Sequence, residues 1–79
     1  MNPRAEAETL DLSGVPCPQN AARALLRIEG MDPGAVLAVI LDDGEPIRNV
    51  PPALEAEGHQ ELSRSRQKGG WRLMMRRGG

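Results

Sequence analysis

Cys17 is the side chain whose type and placement best suit nucleophilic chemistry. It is the only cysteine among the 79 residues and lies between Pro16 and Pro18. Proline is favoured at the first position of a helix, where its missing N–H would be unpaired in any case. Cys17 is therefore expected at a helix N-cap or beside it, near backbone N–H groups that lack intrahelical partners. Their dipoles favour an anion, and the thiolate is the reacting form of sulfur. A free cysteine is more often a small apolar filler. The two prolines argue against that use here, because they hold the residue in a turn and turns lie at the surface. One cysteine permits no internal disulfide. With the single histidine it falls short of the roughly four ligands of a structural zinc site. No metal and no cofactor are expected.

The remaining polar candidates carry weaker signals. Asp11 could order the Cys17 loop by accepting backbone N–H groups, which is also what a strand-end aspartate does in an ordinary turn. Asp42 and Asp43 are adjacent, whereas acid–base catalysis needs groups opposed around a pocket; they read as turn residues. His59 follows the helix-ending Gly58, where its ring would cap carbonyls. A proton-transfer role near Cys17 would require the end of the second helix to meet the start of the first. Trp71, the sole aromatic residue, reads as core.

These residues need a scaffold, and the pattern supplies one. Thr9–Leu12 alternates as a short strand, broken by Ser13-Gly14-Val15-Pro16. From Pro18, the apolar residues Ala21, Leu25 and Ile28 recur at helical spacing, widened by Ala22, Ala24 and Leu26. Arg23 and Arg27 lie four apart and face water. Gly30 and Asp32-Pro33-Gly34 end this helix. Ala35–Leu41 is apolar throughout and predicts a central strand covered on both faces. Ile47, Val50 and Leu54 mark a second amphipathic helix that starts near Pro51 or is kinked there. Gln60–Arg66 alternates as a strand with one exposed face. After a turn at Gln67–Gly70, Trp71, Leu73 and Met75 point opposite to Arg72, Met74 and Arg76.

The order is β-α-β-α-β-β. A right-handed strand–helix–strand unit makes its strands parallel, and the closing hairpin adds antiparallel ones. The simplest solution is an α/β (α+β) two-layer sandwich: a mixed four-stranded sheet with both helices on one face. Residues 1–8 read as an acidic leader, and residues 9–79 as one domain.

Composition agrees with one small soluble unit. The longest apolar run is seven residues, against the roughly 20 a membrane-spanning helix needs. No secretory pattern precedes it, so the expectation is a cytoplasmic, reduced protein. The net charge of −1 hides a polarity. Residues 1–61 balance to −7, and residues 62–79, with six basic and no acidic side chains, to +6. A basic closing hairpin reads as a solvated edge that discourages aggregation, or as a docking face for an acidic protein. Nucleic acid fits poorly, since stacking platforms are absent. Arg23, Arg27, Arg72 and Arg76 are the candidate docking residues, and a monomer is expected.

The string Leu10-Asp11-x-x-Gly14-x-x-Cys17-Pro18 closely resembles the signature of the TusA/SirA/YedF-like small sulfur-carrier proteins. The likeness continues through Gly34, Asp42-Asp43, Arg48-Asn49-Val50-Pro51 and Gly58-His59 to the basic strand before Gly78-Gly79. It spans about residues 9–79 and implies the same two-layer sandwich. It also implies that Cys17 carries sulfur as a persulfide, taken from a donor such as a cysteine desulfurase or rhodanese and passed to an acceptor protein. In that reading Asp11, Gly14, Pro18 and Asn20 support the thiol. The family's string is Cys-Pro-x-Pro, whereas this chain reads Cys17-Pro18-Gln19-Asn20. Asn20 restores a backbone N–H and places a side-chain amide close to the sulfur. The alternative is a non-catalytic regulatory or interaction module on the same fold. A redox-sensing thiol is a third reading, with no distinctive residue in its favour.

Overall fold

The computed structural model describes residues 8–79. The leader expected at residues 1–8 lies outside that range except for Glu8, which opens the first strand. The elements are β1 (Glu8–Asp11), α1 (Gln19–Glu29), β2 (Val36–Asp42), α2 (Glu45–Ala56), β3 (Gln60–Gln67) and β4 (Gly70–Arg76). They form one four-stranded sheet in the order β1-β2-β4-β3. β1 pairs parallel to β2, from Glu8 opposite Leu37 to Asp11 opposite Ile40. β4 pairs antiparallel to both β2 and β3.

The core lies between the sheet and the two helices. Leu37, Val39 and Leu41 alternate along β2 and face Leu73 and Met75 of β4. Ala24 and Ile28 of α1 and Ile47, Val50 and Leu54 of α2 pack onto that same face. Residues i and i+2 of a strand share a face, so both helices cover one side of the sheet. Each fully buried Leu, Ile or Val contributes roughly 1.5–3 kcal/mol relative to leaving it exposed.

β2 is central, but it is not covered by helices on both faces. Its other side carries Val36, Ala38 and Ile40, opposite Arg76, Met74 and Arg72 of β4. Ala38 is fully buried there, and Val36 and Ile40 are half-buried. Long arginine stems can cover apolar surface while their heads stay in water. An unbroken apolar run is thus compatible with a single helical layer.

α2 begins at Glu45, six residues before Pro51, and contains both Pro51 and Pro52. Two interior prolines remove two backbone donors. The helix persists because Ile47, Val50, Pro51 and Leu54 are buried together, and tertiary packing overrides propensity. β3 is exposed along nearly its whole length, with only Glu61 half-buried. It is an edge strand, and a register shift between Glu61 and Ser63 leaves Leu62 out of the pairing.

Glycines are required where backbones approach closely. A Cβ at Gly70 would run into the Leu41 carbonyl, and one at Gly78 into the Gly58 carbonyl. Gly30 sits in ordinary helical backbone, with only ordinary contacts around a would-be Cβ. Gly70→Ala should therefore lower unfolding stability by about 1–3 kcal/mol. Gly30→Ala should leave it unchanged or raise it by about 0.4–1 kcal/mol. Urea denaturation followed by circular dichroism measures both.

Candidate functional site

The parallel β1–β2 pair places the β1–α1 loop at the same end of the sheet as the end of β2. Leu12 N–H continues the pairing to the Ile40 carbonyl at 2.9 Å. The loop then folds on itself, with Val15 N–H donating to the Leu12 carbonyl at 3.0 Å. Asp42, the last residue of β2, accepts Gly14 N–H at 2.8 Å and ties the loop to the strand end. Gly14 has φ +77°, a conformation that side chains rarely adopt.

Asp11 acts more locally. Its Oδ1 accepts Ser13 N–H at 2.9 Å and the Ser13 hydroxyl at 2.6 Å. Those two bonds hold its carboxyl below the usual carboxylate range, the hydroxyl contributing most. Asp11 shapes the turn that leads to the thiol, while Asp42 makes the longer-range tie.

Helix α1 starts at Gln19, with Pro18 as its N-cap. Cys17 is thus one residue outside the cap. Ala22 N–H donates to the Pro18 carbonyl at 3.1 Å and closes the first turn. The backbone N–H that Asn20 restores is used at once, donating to the Pro16 carbonyl at 3.0 Å.

Cys17 is half-buried, and the donors facing its Sγ are side-chain amides. Asn20 Nδ2 lies 3.2 Å from Sγ. Its Oδ1 accepts Ala21 N–H at 2.7 Å, so the amide orientation is determined by the pairing. Asn20 is completely buried. Asn49, exposed on α2, places its Nδ2 at 4.0 Å from the same sulfur. Periodicity separates Asn49 from Cys17 by a whole strand and helix; only its place in the Arg48-Asn49-Val50-Pro51 string marked that segment. At 3.2 Å the neutral Asn20 amide favours an anion on the sulfur without itself titrating near it.

His59 lies elsewhere. Its ring does not cap α2: Nδ1 accepts Gly78 N–H at 3.0 Å, and Nε2 faces Glu29 Oε2 at 3.4 Å. The accepting role of Nδ1 assigns the proton to Nε2. Glu29 ends α1, ten residues beyond its start, or about 15 Å at 1.5 Å per residue. That separation removes His59 from proton transfer at Cys17.

The basic residues fall into distinct settings. Arg27 pairs with Glu8, and Arg23, Leu26 and Arg27 with Leu10 line a groove of about 340 Å³ beside α1. Leu26 is 79% exposed. Arg72 and Arg76 stand on the opposite, helix-free face, where Arg72 Nη1 lies 3.4 Å from Met74 Sδ. The two candidate docking pairs therefore occupy different surfaces. Arg64 binds Glu61 through two nitrogens, at 2.6 and 2.9 Å.

Trp71 packs against the core and donates its indole N–H to Asp43 at 3.0 Å. The Arg66 guanidinium stacks 4.8 Å from its ring centre. Asp43 is held below the usual carboxylate range, first by the Trp71 N–H, then by Gly44 N–H, with Arg66 adding a smaller pull. Among the described residues no cluster of ligating side chains could hold a metal. No helix among them is long and apolar enough to cross a membrane.

Known structures share this architecture. The solution structure of a Helicobacter pylori protein superposes with a TM-score of 0.74 at 21% identity, covering 91% of this chain and 99% of the other. A crystal structure of a SirA-like protein from Desulfitobacterium hafniense gives 0.75 at 23% identity, covering 90% and 97%. At such identities the likeness establishes the two-layer fold of a mixed four-stranded sheet with two helices.

The family described as Sulfurtransferase TusA matches residues 8–77. An Archaeoglobus fulgidus protein named "Putative sulfur carrier protein" is 39% identical over 69 residues, covering 80% of this chain and 78% of that one. The chain belongs to the TusA sulfurtransferase family.

Two outcomes follow from the site geometry. Asp42→Ala should release the Cys17 loop: the Gly14 amide should exchange with solvent several-fold faster by hydrogen-exchange NMR, for a loss of about 1 kcal/mol. Asp43 contributes stability above the ordinary carboxylate range, and that stability is lost as pH falls through its lowered folded-state value. Trp71 fluorescence should therefore change on acidification only below about pH 4, and Asp43→Asn should abolish that transition.

Proposed function

We propose that the chain carries sulfane sulfur as a persulfide on Cys17, loaded from a donor such as a cysteine desulfurase or rhodanese and relayed to an acceptor protein. The observation that carries this reading is the half-buried Cys17 sulfur, presented in a braced strand-to-helix loop and met by the Asn20 amide at 3.2 Å. Family membership supports the sulfur-carrier role.

The chemistry follows thiol–disulfide exchange. The Cys17 thiolate attacks the terminal sulfur of a donor persulfide, R–S–SH. The Sγ–S bond forms as the donor S–S bond breaks, and R–S⁻ leaves with the bonding pair. The transferred sulfur keeps its proton and its oxidation level. Delivery repeats the step with an acceptor thiolate attacking the outer sulfur and Cys17 leaving. As the sole cysteine, Cys17 has no neighbour in the chain to resolve the persulfide into a disulfide, so sulfur departs to another molecule.

Pro18, Gly14 and Asp11 shape the loop that presents the thiol, and Asn20 supports its sulfur. Docking is assigned to two faces. The groove of Leu10, Arg23, Leu26 and Arg27 offers an exposed apolar centre flanked by positive charge, beginning one helical turn beyond Asn20. Arg72 and Arg76 on the helix-free face offer a second positive surface.

Incubation with a cysteine desulfurase and cysteine should add about 32 Da to the chain, one sulfur atom transferred by exchange, and Cys17→Ala should show no adduct. A reactive thiol that gains no sulfur would exclude the carrier reading. Function retained by Cys17→Ala would establish the regulatory module instead. Arg23→Glu should slow loading by the desulfurase several-fold at low salt, with the difference shrinking as salt rises.

A further inference from the structure

We propose that Asn20 and Asn49 divide the two sulfur atoms of a loaded Cys17 between them: Asn20 holds Sγ, and Asn49, reaching over from the second helix, holds the terminal sulfur of the persulfide. This deepens the carrier reading and rests on it.

The two amides stand in different relations to the sulfur. Asn20 is fully buried, and its Oδ1 is occupied by Ala21 N–H, so its Nδ2 is committed to Sγ at 3.2 Å. Asn49 is exposed, and its Nδ2 is 4.0 Å from Sγ, at the outer edge of an N–H···S contact. The distance is poorly suited to the thiolate.

Loading changes the target. A persulfide places a second sulfur about 2.0 Å beyond Sγ, and on ionisation the charge resides on that outer atom. The buried side of Sγ is taken by Asn20. Cys17 is only half-buried, so the added atom extends to the solvent side, where the exposed Asn49 stands. The span that is long for the thiolate becomes suited to the persulfide anion, and a donor bond to a charged acceptor is among the stronger kinds. Asn49 is then a positioning residue that favours the loaded state over the empty one, while Asn20 acts on both. Because Asn49 comes from α2, the loaded sulfur would be held across the junction of the two helices.

The test uses the full chain with glutathione persulfide as the sulfur source and two readouts. The first is the rate of iodoacetamide alkylation of the unloaded thiol as a function of pH. The second is the equilibrium partition of sulfane sulfur between Cys17 and glutathione, read by intact mass. Asn49→Ala should leave the alkylation profile within about twofold of the native chain and lower the partition constant about tenfold, as expected for one exposed hydrogen bond to a charged group. Asn49→Asp, similar in size but negatively charged, should lower it further. Asn20→Ala should slow alkylation at neutral pH as well as weaken loading.

A native partition constant in Asn49→Ala, or in Asn49→Asp, overturns the proposal. So does an equal fall in alkylation and partition in Asn49→Ala, because that would place Asn49 on Sγ. If the native chain takes no sulfur from glutathione persulfide while its thiol alkylates normally, the carrier reading fails and the assignment of Asn49 fails with it. That outcome is distinct from a native chain that loads and a variant that loads equally well.

Discussion

The parallel pairing of β1 with β2 is the constraint on which the site depends. Four residues of β1, Glu8 to Asp11, lie alongside Leu37 to Ile40. Parallel strands need a crossover, and a right-handed one places α1 on the core face. Since α2 follows the second of these strands, both helices begin at the same end of the sheet. Cys17 precedes one of them and Asn49 sits in the other, so the pairing brings together groups 32 residues apart. The bond from Gly14 N–H to Asp42 locks this arrangement at the point where the chain leaves the sheet. The opposite end obeys the same logic. There α1 ends at Glu29, beside the His59 that follows α2.

A sheet with helices on one side has to manage its other side. Here β4 supplies Arg72, Met74 and Arg76 opposite Ile40, Ala38 and Val36. Arginine stems can shield that apolar strip while their guanidinium groups keep the face soluble. The +6 balance of the closing segment is consequently not one open positive field. Arg64 is matched by Glu61, and Arg66 by Asp43 and Trp71. Exposed pairs of this kind contribute little to stability, but they offset part of the positive charge: Arg27 on α1 is matched in the same way by Glu8, while Arg72 and Arg76 stand on the helix-free face.

Much of the architecture was legible from pattern. The strand–helix order, the central strand, the hairpin turn and the inward set Trp71, Leu73 and Met75 all follow from periodicity and turn residues. The start of α2 was not legible, because Pro51 and Pro52 are local signals against a helix and burial of Ile47, Val50 and Leu54 is a tertiary one. Ala35–Leu41 suggested cover on both faces because hydrophobicity does not record whether a helix or an arginine stem excludes the water. His59 looked like a cap for α2, since its neighbours Glu29 and Gly78 are 30 and 19 residues distant.

The same division holds at the thiol. Residue order by itself determined that a single cysteine would stand at a strand-to-helix turn with an amide three positions on, because turn chemistry and helix spacing act over a few residues. Only the tertiary structure decided that the β2 end braces the loop through Asp42, that the Asn20 amide points inward to the sulfur, and that Asn49 approaches from the second helix. Those contacts depend on how two helices settle on one face of a sheet. That is set by the packing of Leu37, Val39, Leu41, Ala24, Ile28 and Val50, which no local run of residues contains.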